Sequence, residues 1–230
     1  MCETPLRKRH CRKKGDRILN LEYVLPDEIE KRSFEIIESE LGDRKIPEDI
    51  KPIVMRVIHT TADFEYCDNL CFSPDAIETA ARILKSGAII VTDTNMAKSG
   101  INKSALKKLG CEVMCFMSDE DVAKEAKKSG TTRAVASVNK ASKLDKPVIY
   151  AVGNAPTALI RLNDLILNKK FVPALVIGVP VGFVNVVQSK ELIMSSGVPY
   201  IVARGRKGGS TVAAAICNAL LYMCGGRDQR

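Results

Sequence analysis

Apolar residues fall first into helical stripes and further along into short unbroken runs. Over Asp27–Leu41, Ile29, Ser33, Ile36, Ile37 and Leu41 recur at helical spacing, which puts Ser33 on the apolar face. Over Glu48–Ala62, Ile50, Ile53, Val54, Val57 and Ile58 form one stripe, with Pro52 in the tolerant first turn. At the helical period His59 lies nearly opposite that stripe, beside Met55, Ala62 and Asp63. A third helix is predicted to open with Ser73 as cap, Pro74 at its first position and Asp75 in its first turn, and to stop at Gly87.

Five apolar runs follow, each with a turn and a helical segment after it: Ala88–Thr92, Glu112–Met117, Val148–Val152, Ala174–Gly178 and Tyr200–Ala203. Runs without alternation suit strands buried on both faces of a parallel sheet, and the helical segments suit crossovers. The fold class is therefore α/β: a three-layer, doubly wound, parallel five-stranded sheet of flavodoxin-like order 2-1-3-4-5, with helices added before it. Residues 1–21 read as a basic, disordered extension and residues 22–230 as a single domain.

Charge and composition narrow the partners. Apolar residues make up 46% of the chain, ordinary for a globular protein. The most apolar stretch, Ala174–Val187, is broken by Gly178, Pro180 and Gly182 and falls short of the roughly 20 residues a membrane span needs. No apolar segment of a signal peptide follows the basic start, so the expected location is cytoplasmic, without a membrane partner. The net charge is +8, but Arg7, Lys8, Arg9, Arg12, Lys13, Lys14 and Arg17 against Glu3 and Asp16 give +5 in residues 1–17, leaving +3 for the remaining 213. Such a block is usually a solvated tail. No zinc-finger, RNA-recognition or helix-turn-helix signature follows it, and no nucleic-acid partner is expected. Eight cysteines without a secretory signal imply free thiols. The pairs Cys67/Cys71 and Cys111/Cys115 are four apart rather than C-x-x-C, so no metal site is expected.

Ligands of doubly wound sheets sit beyond the carboxyl ends of the strands. Here those ends carry Asp93-Thr94-Asn95-Met96, Gly153-Asn154-Ala155-Pro156-Thr157, Gly178–Phe183 and Gly205-Arg206-Lys207-Gly208-Gly209-Ser210-Thr211. Glycines admit a ligand to the backbone, and helix starts offer N–H groups, which makes a generic anion site. The last loop lacks the G-x-x-x-x-G-K-[ST] spacing, and no strand is followed by G-x-G-x-x-G or G-x-S-x-G. Taken singly, each glycine could be a tight turn. His59 is the main candidate for acid–base work, because unperturbed histidine titrates near neutrality; a histidine merely hydrogen-bonded at a helix end remains open. Cys67 near His59 leaves a weaker cysteine–histidine alternative.

Five segments in order, R-V-I-H-T-T-A-D (Arg56–Asp63), T-D-T-N-M (Thr92–Met96), G-N-A-P-T-A-L (Gly153–Leu159), P-A-L-V-I-G-V-P-V-G-F (Pro173–Phe183) and G-R-K-G-G-S (Gly205–Ser210), resemble the precorrin-8X methylmutase family over residues 22–223. The resemblance implies a flavodoxin-like homodimer, an isomerase of cobalamin biosynthesis. It would move a methyl group from carbon 11 to carbon 12 of ring C in an acidic tetrapyrrole. The product would be cobyrinic acid or its metal-free form, hydrogenobyrinic acid. No cofactor is implied, since any cobalt belongs to the substrate. The family's catalytic histidine falls on His59, and its substrate-associated serine and arginine fall on Ser33 and Arg133. Asp93, Met96, Asn154, Pro156, Thr157, Gly205, Arg206, Lys207, Gly208, Gly209 and Ser210 are expected to line the substrate. Asn185-Val186-Val187-Gln188 departs from the family's small and acidic residues at that point. The rivals are a non-catalytic tetrapyrrole carrier, a nucleotide-dependent oxidoreductase and a nucleic-acid binder driven by the tail.

Overall fold

The structure is a computed structural model and describes residues 10–11 and 19–225 of the 230. The seven basic residues of the N-terminal run lie outside the described residues, and of the expected extension only residues 10–11 and 19–21 lie within them. The chain divides into two compact units at Asp43/Arg44.

In the first unit β1 (His10–Cys11) pairs antiparallel with β2 (Leu19–Asn20), and α1 (Ile29–Leu41) follows. Of the stripe on α1, Ile37 and Leu41 are buried, whereas Ile29 and Ile36 stay exposed. Arg32 holds Glu22 at 2.7 Å and Glu35 at 3.3 Å.

The second unit starts with α2 (Lys51–Thr61), α3 (Tyr66–Asn69), β3 (Leu70–Phe72) and α4 (Ala76–Lys85). The repeating part then runs β4 (Ile89–Thr92), α5 (Asn95–Gly100), α6 (Lys103–Lys108), β5 (Glu112–Met114), α7 (Glu120–Lys128), α8 (Arg133–Ala141), β6 (Val148–Val152), α9 (Pro156–Leu167), β7 (Leu175–Gly178), α10 (Val186–Met194), β8 (Tyr200–Ala203) and α11 (Ser210–Met223). The sheet order is β3-β8-β7-β6-β4-β5, parallel except for β3. Numbered from β4, the five parallel strands stand in the expected 2-1-3-4-5 order.

Three details differ from expectation. A sixth strand, β3, pairs antiparallel with β8; at three residues it is too short to carry a pattern. β5 ends at Met114 rather than Met117, where Thr92 Oγ1 donates to the Met114 carbonyl (3.3 Å) and the β4 ladder stops. The helix expected from Ser73 begins at Ala76. The Ser73 hydroxyl instead accepts the Tyr200 N–H and donates to Asp75 Oδ1, both at 3.0 Å, so it ties the helix entrance to β8.

β4, β6 and β7 are buried at every position, as unbroken apolar runs between two helical layers require. One layer is centred on α11, which packs against the sheet, α2, α4 and α5. Its run from Val212 to Leu221 is almost wholly buried and rich in alanine, which lets these neighbours approach closely. The other layer is built by α7, α8, α9 and α10.

Candidate active site at the carboxyl ends of the strands

Four loops leave the parallel strands at one end and are bonded into one floor. Asp93 follows β4 directly and is 1% exposed; its carboxylate accepts the N–H groups of Gly153 (2.9 Å), Asn154 (2.8 Å) and Ala155 (2.7 Å). Burial pushes the Asp93 carboxyl up from its ordinary range, while the three amides oppose this by favouring the ionised form. Both oxygens are thus engaged with backbone: Asp93 shapes the loop after β6 instead of presenting a carboxylate to a ligand. Thr94 caps α5 by accepting the Ala97 N–H (3.1 Å), and its hydroxyl meets Ser210 Oγ at 2.8 Å, joining the first loop to the last.

The glycines enforce this closeness. A Cβ on Gly153 would come within 2.8 Å of Ser210 and Gly209 backbone atoms, and one on Gly208 would stand 2.1 Å from the Val179 carbonyl oxygen. Gly209 donates to that carbonyl (2.8 Å), and Gly182 donates to the Arg206 carbonyl (3.2 Å). From the side, Thr132 caps α8 and meets the Thr157 hydroxyl at 3.2 Å, which sets exposed Arg133, the first residue of α8, beside the loop after β6.

α2 is pinned to the same floor. Its buried face is Ile53, Val54, Met55, Val57 and Ile58; Met55, one turn before His59 and beside it as expected, is buried, whereas His59 itself is exposed. The helix stops at Ala62, in the left-handed conformation at φ 53°, with its N–H bonded to the Ile58 carbonyl. Asp63 then accepts the Glu65 N–H (3.0 Å) and the Lys207 ammonium (2.6 Å), and Glu65 reaches the same ammonium at 2.9 Å. This tie lies one helical turn beyond His59. Lys207 holds the Asp63 carboxyl below its usual range, and the two carboxylates raise the lysine. Expected to offer its charge to a ligand, Lys207 spends it on Asp63 and Glu65.

Arg206 is exposed and stands over the Phe183 ring, 5.4 Å from its centroid. Met96 after β4 and Val181, Phe183 and Val184 after β7 expose apolar surface on two of these loops; Phe183 is 80% exposed. Asn154 is exposed, and Pro156 and Thr157 open α9 half-buried. Gly205, at φ 78°, faces open space where a side chain would stand. Ser33 sits on α1 in the first unit, where its hydroxyl donates to the Ile29 carbonyl (2.9 Å).

The pattern of the chain had left out one residue. Lys190 on α10 is 0% exposed, and its ammonium donates to the carbonyls of Gly205 and Lys207, each at 2.8 Å. Its sign lay in the helical phase, since Val186, Lys190 and Ile193 recur on one buried face. Among the described residues no group of three or more His, Cys, Asp or Glu side chains is placed to hold a metal ion. Cys67 is half-buried, and burial pushes its thiol up, away from the thiolate a cysteine–histidine nucleophile needs.

Comparison with known proteins agrees with this arrangement. The precorrin-8X methylmutase family matches over residues 28–223. The chain is 47% identical over 197 residues to a cobalt-precorrin-8 methylmutase of Priestia megaterium, covering 86% of this chain and 88% of the relative. A cobalt-precorrin-8 methylmutase of Leptospira interrogans is 43% identical over 210 residues, covering 88% and 96%. Among solved structures, the precorrin-8X methyl mutase of Thermus thermophilus superposes with a TM-score of 0.79 at 39% identity, over 86% of this chain and 98% of that one. With its five parallel strands in order and its motifs gathered on one floor, the chain belongs to the precorrin-8X methylmutase family, isomerases of cobalamin biosynthesis.

Proposed function

We propose that the chain isomerises cobalt-precorrin-8 to cobyrinic acid, moving the ring-C methyl from carbon 11 to carbon 12, with His59 as the proton-handling group. The observation that carries this reading is the placement of His59, exposed at the end of a helix that Asp63 and Lys207 fasten to the loop floor. In the reaction the bond from the methyl to carbon 11 breaks as the bond to carbon 12 forms on the same face. The electrons rearrange within the conjugated ring, so neither an oxidant nor a covalent nucleophile takes part. His59, as imidazolium, donates to a ring-C nitrogen and draws density from that system; such assistance contributes about 10²–10⁴-fold. The rest falls to holding the macrocycle, for which Met96, Val181 and Phe183 offer apolar surface. Arg133, Arg206 and loop amides offer donors to its carboxylates. The substrate's cobalt follows the names of the relatives above, and no resident cofactor enters the reading.

The same reading takes the enzyme as a cytoplasmic homodimer. Leu21, Tyr23, Leu25, Ile29 and Ile36 of the first unit are exposed, as suits residues a second copy covers. Among the described residues no helix is long and apolar enough to cross a membrane. One experiment addresses ligand and pairing together: titration with cobyrinic acid, read by visible absorbance on protein whose mass is measured by sedimentation. Saturation at one ligand per subunit on a two-chain particle is expected, and His59→Ala should bind nearly as well. An unchanged spectrum contradicts the ligand, and a single-chain mass contradicts the pairing.

A further inference from the structure

One buried charged group takes no part in the chemistry above and serves no carboxylate as a counter-ion among the described residues. Lys190 carries an ammonium into a fully buried position, where a charge is costly unless bonded. Among the described residues no carboxylate meets it. Its bonds go to two carbonyls, Gly205 and Lys207, which bracket Arg206 in the loop that ends at the start of α11. The neighbouring charges are occupied elsewhere. On α10 Glu191 pairs with Arg204 at 3.3 Å, Lys207 is held by Asp63 and Glu65, and Arg161 and Asp164 of α9 pair with each other. Arg206 faces Phe183, Tyr200 is the titratable group of β8, and β7 brings apolar residues and a glycine.

We infer that Lys190 is a positioning residue: its buried ammonium clamps the Gly205–Lys207 turn in the shape that presents Arg206 and the first amides of α11 to an anionic ligand, and loss of its proton loosens that grip. This rests on the reading of the Gly205–Ser210 loop as a substrate-holding loop. The two bonds consume the carbonyl oxygens, so the turn directs its amides and the Arg206 side chain outward. The positive charge stays beneath the loop, in a low-dielectric interior where it acts more strongly on a nearby anion than an exposed lysine would. Burial lowers the lysine to about 8. A polyanion bound on the loop favours the protonated form, so by linkage affinity must fall as pH rises through that value. Folding responds in the opposite sense. Between about 8 and the ordinary lysine value of 10.5 the unfolded chain binds more protons at this group, so its contribution to stability rises with pH. Weakened binding above pH 8 is therefore not a sign of unfolding at this residue.

The test is titration of the full chain with cobyrinic acid from pH 6.5 to 9, on the wild type, Lys190→Met, Lys190→Arg and Arg206→Ala. The wild type is expected to lose at least about fivefold in affinity between pH 7 and 9. Lys190→Met should bind at least about tenfold more weakly at pH 7 and lose the pH dependence, as expected when two charge-assisted bonds disappear. Lys190→Arg, charged throughout, should bind without the alkaline decline. The wild-type curve needs no variant to fold. If it is flat while Arg206→Ala weakens binding, the inference about Lys190 fails and the loop assignment stands. If Arg206→Ala binds like the wild type, the loop assignment fails and the inference goes with it.

Discussion

Lys207 illustrates how one side chain's partners decide its role. A lysine in a glycine-rich loop offers itself as an anion ligand, yet this one holds Asp63 at 2.6 Å and Glu65 at 2.9 Å. Under the proposed function its effect on a bound tetrapyrrole is indirect: it neutralises two carboxylates that would otherwise face an anionic ligand near His59. Lys207→Met should change stability little, because all three side chains are partly exposed and solvent screens the pairs. Affinity for cobyrinic acid should drop more clearly, and Asp63→Asn in the same chain should restore part of it. Equal binding by Lys207→Met and wild type would remove this role. The sign with pH follows from the depressed Asp63 carboxyl. The pair's contribution is complete at neutral pH and above, and is lost as pH falls through a value below the ordinary carboxylate range. Thermal melting of wild type and Asp63→Asn should therefore converge in acid.

At the scale of elements, the loops after β4, β6, β7 and β8 work as one unit because glycines let their backbones touch. Gly208→Ala would drive a methyl into the Val179 carbonyl, an atom of the backbone that cannot swing aside, at a φ of 156° that favours glycine. A loss of about 1–3 kcal/mol, the range for overpacking, is expected in denaturant unfolding, with activity falling further as the loop shifts. A variant of wild-type stability and activity would contradict the contact. How much of this the sequence carried depends on the element. Val148–Val152 and Tyr200–Ala203 are strands at the expected bounds, because unbroken β-branched runs admit few other structures. β3 escaped, since Leu70–Phe72 is too short for any period and takes its strand character from β8. The His59, Gly153 and Gly205–Ser210 segments declared themselves by composition. Asp93 and Lys207 drew notice as candidate ligand contacts, but the bonds they make were not legible, because the partners that occupy them lie about 60 and 144 positions away in the chain. Lys190 was hidden by its charge, although the phase of α10 had already placed it on the buried face.

Over the whole molecule, the doubly wound order brings the ends of β4, β6, β7 and β8 to one edge of the second unit, and α11 starts from that edge into the core. The floor is thus attached to a helix buried along most of its length, which holds its geometry as the proposed methyl shift would require. α2 packs along α11, so His59 is carried on a rigid element instead of a loop. The most direct test is single-turnover conversion of cobalt-precorrin-8 by the full chain, followed by visible absorbance, with His59→Ala run beside the wild type. The account predicts cobyrinic acid from the wild type and at least about a hundredfold slower conversion by the variant, with binding retained. Conversion by His59→Ala at the wild-type rate would contradict it.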